Sequence, residues 1–375
     1  LNFEFGYRDS EYNSVGNVNT WKAGLNWRIN DQFLVRVMEQ EATRAPNVSE
    51  LFSPVTTGLD NAQTDPCSVA NAGNISSTLQ ALCVSTGMLP AQVGVLQDII
   101  SGQINILQGS NPTAPPKAET AETFTAGFVW TPNVSLVDNL SISLDYYDID
   151  ISDVIGEFSA QEILDQCYVA GIASSCANVK RVDGDLTAPA SGIQLFTTNL
   201  AFERAEGYEL SARFGVDLDN LGDLEFSTYV NKYKTQESQS SILTPVIDCK
   251  GYYGTTCDPV SEFRFVQRTT WNWGDLTASL QWRHIDSVDI EPTEAAGTFA
   301  AFRSIDDYDY LDLYASYYLW NDRIRLSLGI DNLTDEEPPV VGNEAGDTSS
   351  NSGNTFPSNY DVLGRAYTFG ARLTF

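Results

Sequence analysis

Six cysteines are the residues of this sequence whose type and spacing most clearly predict chemistry. They form three near-neighbour couples: Cys67 with Cys83, Cys167 with Cys176, and Cys249 with Cys257. Six thiols allow fifteen pairings, but each couple lies within one predicted loop, so the local pairing is the simplest. The rival is a zinc site, but no couple has Cys-x-x-Cys spacing and the chain has one histidine. We therefore predict three loop disulfides, no metal centre and an oxidising compartment.

The single histidine, His284, is the other candidate for catalysis. It stands beside Arg283 and Asp286 near a predicted strand end. A histidine can act as general base for a serine, but only in a geometry that a sequence does not show. A histidine in a loop or at a membrane interface is the simpler interpretation. The sequence therefore predicts no catalytic residue and no cofactor.

The charge balance bears on the partners of the protein. With 50 acidic and 21 basic residues, the net charge is −29. Nucleic acid is disfavoured as a partner, because phosphate binding requires a basic surface. Many carboxylates fall in predicted loops, where they promote solubility or, alternatively, bind divalent cations. These are Asp60, Asp65, Asp183, Asp185, Glu336, Glu337, Glu344 and Asp347.

The elements that position these residues are strands, and the last sixteen residues show the pattern well. From Tyr367, the side chains of Tyr367, Phe369, Ala371, Leu373 and Phe375 fall on one face of a strand, with polar residues or glycine on the other. The chain then stops on an aromatic residue. Strands of outer-membrane β-barrels look like this, because one face contacts lipid and the other a watery lumen. A soluble β-protein with aromatic core pairs is the alternative.

About twelve such strands follow one another along the chain. They are predicted at 3–8, 20–29, 33–42, 123–130, 140–151, 193–216, 224–233, 263–271, 276–285, 310–320, 324–330 and 367–375. Short turns alternate with long loops, as in outer-membrane barrels. The long loops are predicted at about 45–117, 152–191, 234–261, 286–306 and 334–359. No apolar run of about 18 residues exists to form a membrane-spanning helix. The fold class is therefore predicted as all-β, an antiparallel transmembrane β-barrel.

Two local predictions are finer. Residues 90–106 have the apolar spacing of a helix, with proline at the start. Residues 193–216 are expected to form one long strand with a bulge.

Several motifs, in the right order, resemble the C-terminal barrel of TonB-dependent receptors. DNLTDEEPP at 331–339 resembles the family's Asn-Leu-x-Asp segment, and residues 364–367 resemble its Gly-Arg-x-Tyr entry to the last strand. ATRAPNVSELFSP at 42–54 resembles a strand that leaves for a large surface loop. Residues 109–120 resemble the return from that loop, although two prolines and a lysine interrupt the usual pattern. EGYEL at 206–210 resembles an internal Gly-x-Glu strand.

The resemblance implies a barrel of about 22 strands around a globular plug, of which this chain would supply about the last twelve. The plug and its TonB box are absent from this sequence, and we expect them in a missing N-terminal part. The resemblance also implies the cell outer membrane of a Gram-negative bacterium. Outer-membrane lipid and the TonB complex are then the expected partners.

The terminal aromatic residues resemble the signal that the barrel-assembly machinery recognises. Phe375, with Tyr367 and Phe369, is the expected signal in this chain. Deleting Phe375 from the full protein should lower its amount in the outer membrane. Unchanged surface abundance would contradict this prediction.

The function implied by the resemblance is high-affinity capture of a scarce, bulky solute and its TonB-powered import. The expected contacts are the loop residues Asp248, Tyr252, Tyr253, Tyr308, Asp309 and Tyr310. Oligosaccharides, ferric siderophores and cobalamin all fit the family. Abundant tyrosines favour neutral sugars, whereas the acidic charge disfavours anionic ferric chelates. A passive porin-like or adhesin barrel is the alternative, and it predicts no plug in the coding sequence upstream.

Overall fold

The computed structural model describes residues 1–62, 64–99, 103–111, 113–188, 190–241, 244–342, 345 and 351–375. Strands dominate these residues and the helices are short, so the predicted all-β class is confirmed. Among the same residues, no helix is both long enough and apolar enough to cross a membrane.

The elements are as follows. The strands are β1 (Asn2–Tyr12), β2 (Gly16–Asn30), β3 (Phe33–Arg44), β4 (Thr56–Asn61), β5 (Gln103–Ser110), β6 (Glu119–Trp130), β7 (Asp138–Ser152), β8 (Ile155–Gly156), β9 (Val179–Lys180), β10 (Gly192–Asn199), β11 (Phe202–Asp217), β12 (Asp223–Gln239), β13 (Ile247–Asp248), β14 (Tyr252–Tyr253), β15 (Phe263–Trp273), β16 (Leu276–Ile285), β17 (Val288–Ile290), β18 (Ser304–Ile305), β19 (Tyr308–Leu319), β20 (Ile324–Asp331) and β21 (Ala366–Leu373). The α-helices are α1 (Val48–Phe52), α2 (Ser77–Ser85), α3 (Ala160–Tyr168) and α4 (Ala173–Ala177), and short 3₁₀ turns lie at Val69–Asn74, Asp219–Leu221 and Ala300–Phe302.

Twelve strands form the main sheet, in the order β1-β2-β3-β6-β7-β11-β12-β15-β16-β19-β20-β21, with β13 added beside the end of β12. Each strand pairs antiparallel with its neighbour in this order. The sheet is open, with β1 and β21 at its edges. The predicted number of long strands is confirmed.

The strand register separates two faces of the main sheet. On the apolar face, Phe369 lies opposite Leu328, and Leu280 lies opposite Leu313. These side chains are exposed, Phe369 to 77% and Leu280 to 40%, rather than buried in a compact core. The other face carries charged and polar side chains. The period-two alternation therefore has the arrangement expected of a sheet between lipid and water.

Connections at the two ends of the sheet differ in length. At one end the chain turns within 31–32, 131–137, 218–222, 274–275 and 320–323. At the other end it runs through 45–118, 153–201, 240–262, 286–307 and 332–365, besides the short turn at 13–15. Since β12 continues to Gln239, the third long connection begins six residues later than expected. Antiparallel pairing puts all five long segments at one end, which we call the loop end.

Three local predictions are wrong. Residues 193–216 form two strands, β10 and β11, because Ile193 and Leu195 pack into a separate core beside β5. Residues 90–95 form turns and residues 96–99 are irregular, so no helix forms there, and Gln103–Ile106 belong to β5, which pairs on both sides. Residues 100–102 lie outside the described residues. The last strand ends at Leu373, although the Thr374 amide still donates to the Arg323 carbonyl in the same register.

The first loop unit comprises residues 45–118 and 153–201. Its centre is the parallel pair of β5 and β10, with β4 on one side and β8 and β9 beside β10. Ile104, Leu164 and Ile193 are fully buried between this sheet and the helices. A buried ion pair joins its two segments: Arg181 donates to both carboxylate oxygens of Asp65, at 2.6 and 2.7 Å.

The second loop unit comprises residues 240–262, 286–307 and 332–365. Its small core contains Tyr253, Val288, Ile305 and Phe356, and the Tyr253 and Phe356 rings meet edge to face at 5.7 Å. Strands β14, β17 and β18 form its sheet. Three long connections thus pack into one body.

The three predicted disulfides are confirmed: Cys67–Cys83, Cys167–Cys176 and Cys249–Cys257. The first two lie in the first loop unit and the third in the second. Each is local in sequence, as the clustering of the thiols predicted.

Candidate functional site

The polar face of the main sheet carries a cavity of about 450 Å³. Arg36, Asp145, Glu209 and Arg264 are among the side chains that line it. Arg36 Nε and Nη2 donate to Asp145 Oδ1 and Oδ2 at 2.8 and 2.5 Å, a paired geometry that fixes both groups. The polar face of the main sheet therefore carries paired charges. We call this face, which includes Arg36, Asp145, Arg264, Arg283 and Asp312, the charged wall.

The Arg36–Asp145 pair depends on a glycine between its strands. Arg36 is on β3 and Asp145 on β7, and Gly127 on the intervening β6 faces the same way. A Cβ atom at Gly127 would lie 2.1 Å from Asp145 Oδ1. The absence of a side chain thus lets the two charges meet across one strand.

A second ion pair connects the wall to the second loop unit. Arg283 Nε donates to Asp312 Oδ2 at 2.8 Å, and its guanidinium lies 4.9 Å from the centre of the Tyr310 ring. Asp312 Oδ1 also accepts from the backbone amide of Asn332 at 3.0 Å. The start of the last long connection is therefore held by a wall carboxylate.

The residues of the family-like motifs hold that connection in place. Asn332 is fully buried, and its side-chain amide both donates to and accepts from the backbone of Glu336, at 2.9 and 2.8 Å. Asp335 accepts from the Arg365 amide at 2.9 Å and from its guanidinium at 3.0 Å. The two ends of the connection are thereby closed on each other.

The family-like motif at 42–54 also holds its connection in place. Asn47 and Glu50 form a capping box at the start of α1. Arg44 donates to Glu50 at 2.9 Å and, through Nε, to Glu119 at 2.5 Å. Glu119 also accepts from the Ile155 amide at 3.0 Å, so this carboxylate joins both segments of the first loop unit.

The structure brings four of the six predicted contact tyrosines and aspartates into or beside the second loop unit core. Tyr253 and Tyr310 are fully buried. The Tyr253 hydroxyl donates to the Phe302 carbonyl, and burial raises the pKa of Tyr253 to about 12, so it stays a donor at neutral pH. Tyr308 is half-buried against Tyr310 and Tyr360, with ring centres 6.0 and 5.0 Å away. Tyr252 is half-buried beside Asp289.

The two predicted aspartates have other positions. Asp248 accepts from the Gln236 and Lys250 amides at 3.0 and 3.1 Å, so it fixes the turn after β13. Asp309 pairs with His284 on the apolar face of the sheet, above the Leu280 and Leu313 row. It is exposed there and does not face the polar wall.

His284 lies in a cluster that could hold a metal ion. Its Nδ1 is 2.9 Å from Asp309 Oδ1, and one ligand atom from each of His284, Asp307 and Asp309 lies within 4.8 Å of the others. The ring packs on Phe265 with centres 5.0 Å apart. Among the residues that the structure describes, His284 therefore hydrogen-bonds a carboxylate rather than a serine.

Several loop carboxylates considered for cation binding serve the loop itself. Asp65 holds Arg181, and Asp185 accepts from the Thr187 amide at 2.7 Å. Asp60 accepts from the Ala160 amide at 2.7 Å, at the start of α3. Glu344 and Asp347 lie outside the described residues.

Sequence reasoning missed the ion pairs of the wall. The alternation places Arg36, Asp145, Arg283 and Asp312 on the polar face, which is a usable signal. It does not indicate which charges meet, because the partners lie 109 and 29 positions apart.

Comparisons with known proteins bear on this architecture. The family model described as TonB dependent receptor-like, beta-barrel, matches residues 1–333. The ferric enterobactin receptor PfeA of Pseudomonas aeruginosa is similar over 100% of this chain and 42% of that chain, with a TM-score of 0.59 and 15% identity. The siderophore receptor PirA from Acinetobacter baumannii is similar over 100% and 43%, with a TM-score of 0.56 and 13% identity. No curated protein sequence matched. The chain thus spans less than half the length of these structures, and the likeness concerns the fold.

Proposed function

The chain belongs to the TonB-dependent receptor family, and we propose that it is part of an outer-membrane transporter of a Gram-negative bacterium. In this proposal the protein captures a scarce solute at the cell surface and imports it to the periplasm. The TonB complex supplies the energy, and the barrel-assembly machinery inserts the protein into outer-membrane lipid. The family and fold are those of transport receptors rather than enzymes.

The division of the main sheet into two faces is the observation that supports the proposal. Exposed apolar rows suit hydrocarbon, whereas the wall of Arg36, Asp145 and Arg264 suits a watery lumen. The loop units then lie at the cell surface, where solute is first met. Disulfides in both units agree with an oxidising compartment.

In or beside the second loop unit, Tyr252 and Tyr308 are the predicted contact tyrosines that are half-buried rather than fully buried. Tyr253 supports them from the core, and the fully buried Tyr310 stacks on Tyr308. We assign Phe375, Tyr367 and Phe369 to recognition by the assembly machinery, since they lie on the exposed face at an edge of the sheet.

Uptake in matched strains tests the proposal. The full-length protein is expressed in an outer membrane, and uptake of candidate solutes is compared between strains with and without TonB. We expect uptake that needs both the receptor and TonB. Uptake that persists without TonB would favour the passive porin-like alternative and overturn the proposal.

A further inference from the structure

The first loop unit contains a second cavity, of about 370 Å³, which shares no lining residue with the cavity on the polar face of the main sheet. Residues of α3, α4 and β10 line it, together with Asn111 and Phe158. On β10 its lining residues are Gln194, Leu195, Phe196, Thr198 and Asn199, and Leu195 also packs in the core of the unit. The cavity is therefore built on paired strands and disulfide-linked helices.

The lining is neutral throughout. Among the described residues that line the cavity, none has a charged side chain, although 19% of the chain is charged. Amides and hydroxyls such as Gln166, Gln194 and Thr198 stand beside the rings of Phe158 and Phe196. The wall cavity, with Arg36, Asp145 and Glu209, has different chemistry.

One lining side chain has an unused hydrogen-bonding group. Gln166 is only 6% exposed, and Ser175 donates to its Oε1 at 2.7 Å. Within the part of the chain that the structure describes, Gln166 Nε2 has no hydrogen-bond partner. Rotating the amide would only exchange an unpaired donor for an unpaired acceptor. A buried polar group without a partner is destabilising, so its presence beside a cavity indicates a role in binding.

The loop holds this amide firmly. The Cys167–Cys176 disulfide ties α3 to α4 next to Gln166. The Gln166 carbonyl accepts from the Ile172 amide at 2.9 Å, which fixes the turn between the helices. The amide is thus preorganised rather than mobile.

We propose that this cavity binds a neutral, hydroxyl-rich solute of the saccharide class. Hydroxyl groups would pair with Gln166 and the neighbouring amides, and a sugar ring face would stack on Phe158 or Phe196. An anionic ferric chelate would find no cation in the lining. The inference rests on the proposed function, since it names the solute class that the receptor captures.

Calorimetric titration of the purified full-length receptor tests the inference. The neutral probes are maltohexaose, cellohexaose and xylohexaose, and the anionic probes are hexagalacturonate and a ferric tris-catecholate. We expect at least one neutral probe to bind. The double variant Gln166→Leu/Ser175→Ala should weaken that binding about tenfold, because each substitution removes a hydrogen-bonding group from the cavity. Phe196→Ala should weaken it to a similar extent.

Two controls separate binding from folding. Gln80→Leu makes the same change on the exposed side of α2 and should leave affinity unchanged. The double variant should melt no lower than the parent, because it removes both partners of the Ser175–Gln166 hydrogen bond together with the unpaired Nε2.

Other outcomes would overturn the inference. They are no binding of any neutral probe, equal affinity in the parent and the double variant (a site for buried water only), or preferential binding of an anionic probe. TonB-dependent uptake of the ferric chelate would then leave the proposed function intact while this inference fails.

Discussion

Contacts between single residues hold together the two ends of the last long connection. Asp335 and Arg365 belong to motifs 30 positions apart in the sequence, yet the carboxylate of one holds the amide and guanidinium of the other. Gly364 has φ +67°, and a Cβ there would lie 3.2 Å from Asp335 Oδ1. Glycine therefore suits both the backbone conformation and the close approach of the carboxylate.

The contact predicts a pH dependence. The Arg365 amide, and then its guanidinium, hold the pKa of Asp335 below the ordinary 3.8. Because the folded-state pKa is lowered, the stabilisation is present above the ordinary value and is lost as pH falls through the lowered one. NMR of the Arg365 amide should show a titration with its midpoint below 3.8. Asp335→Asn should abolish this titration, and a midpoint above 3.8 would contradict the assignment.

A second residue-scale prediction concerns the buried pair in the first loop unit. Arg181→Met would leave the Asp65 carboxylate buried without its cation, at a cost of about 3–5 kcal/mol to the folding of that unit. The combined change Arg181→Met/Asp65→Leu should cost less, because no charge remains unpaired. Hydrogen exchange in α3 measures both variants. Equal losses of hydrogen-exchange protection in the single and the double variant would show that the ion pair contributes little.

At the scale of elements, the long connections fold into packed bodies. Strands β5 and β10 come from different connections and pair in parallel, so one sheet spans both connections. The helices are short, from five to nine residues, and depend on this packing. The first loop unit therefore behaves as one structural element rather than as two flexible loops.

Each disulfide should protect its own unit. Replacing Cys67 and Cys83 with alanine removes a link across 16 positions, worth about 3 kcal/mol in the chain-entropy model. Limited proteolysis should then cut the first loop unit while the second stays intact. Replacing Cys249 and Cys257 is the matched control and should shift cleavage to the second unit. Cleavage at the same sites in both variants would contradict separate units.

At the scale of the whole molecule, the main sheet has one apolar and one polar face. The apolar face is exposed along its length, and the buried hydrophobic clusters lie in the loop units instead. In the proposed function, outer-membrane lipid covers this apolar face. The aromatic pairs Phe214–Phe226 and Trp271–Trp273 stack near the end of the sheet that has the short turns, where a membrane interface is expected.

The difference between the two faces predicts that an arginine substitution destabilises the apolar face much more than the polar face. Leu280→Arg on the apolar face should destabilise the full-length protein in phospholipid vesicles by about 2–4 kcal/mol. Tyr229 is also exposed but faces the polar wall, so Tyr229→Arg should change stability by less than about 1 kcal/mol. Folding equilibria in urea measure both. A similar loss for the two variants would refute the assignment of faces.

Sequence reasoning predicted the main sheet better than the loops. Strands such as Leu276–Ile285 were placed to the residue, because a single face pattern runs along them. The helix expected at 90–106 is absent from its described part, where Val93 and Leu96 lie on turns against the core. Among the predicted contact residues, two neighbours lie on different faces. Tyr308 faces the loop core, whereas Asp309 lies on the apolar face.

The sequence by itself determined which side chains share a face and which cysteines pair. Both are local properties, set by the alternation of a strand and by short separations along the chain. Only the tertiary structure decided that Arg181 meets Asp65 across 116 positions, that β5 joins β10, and that Gln166 borders a neutral cavity. Those contacts arise when distant segments pack, and no local pattern specifies the partner.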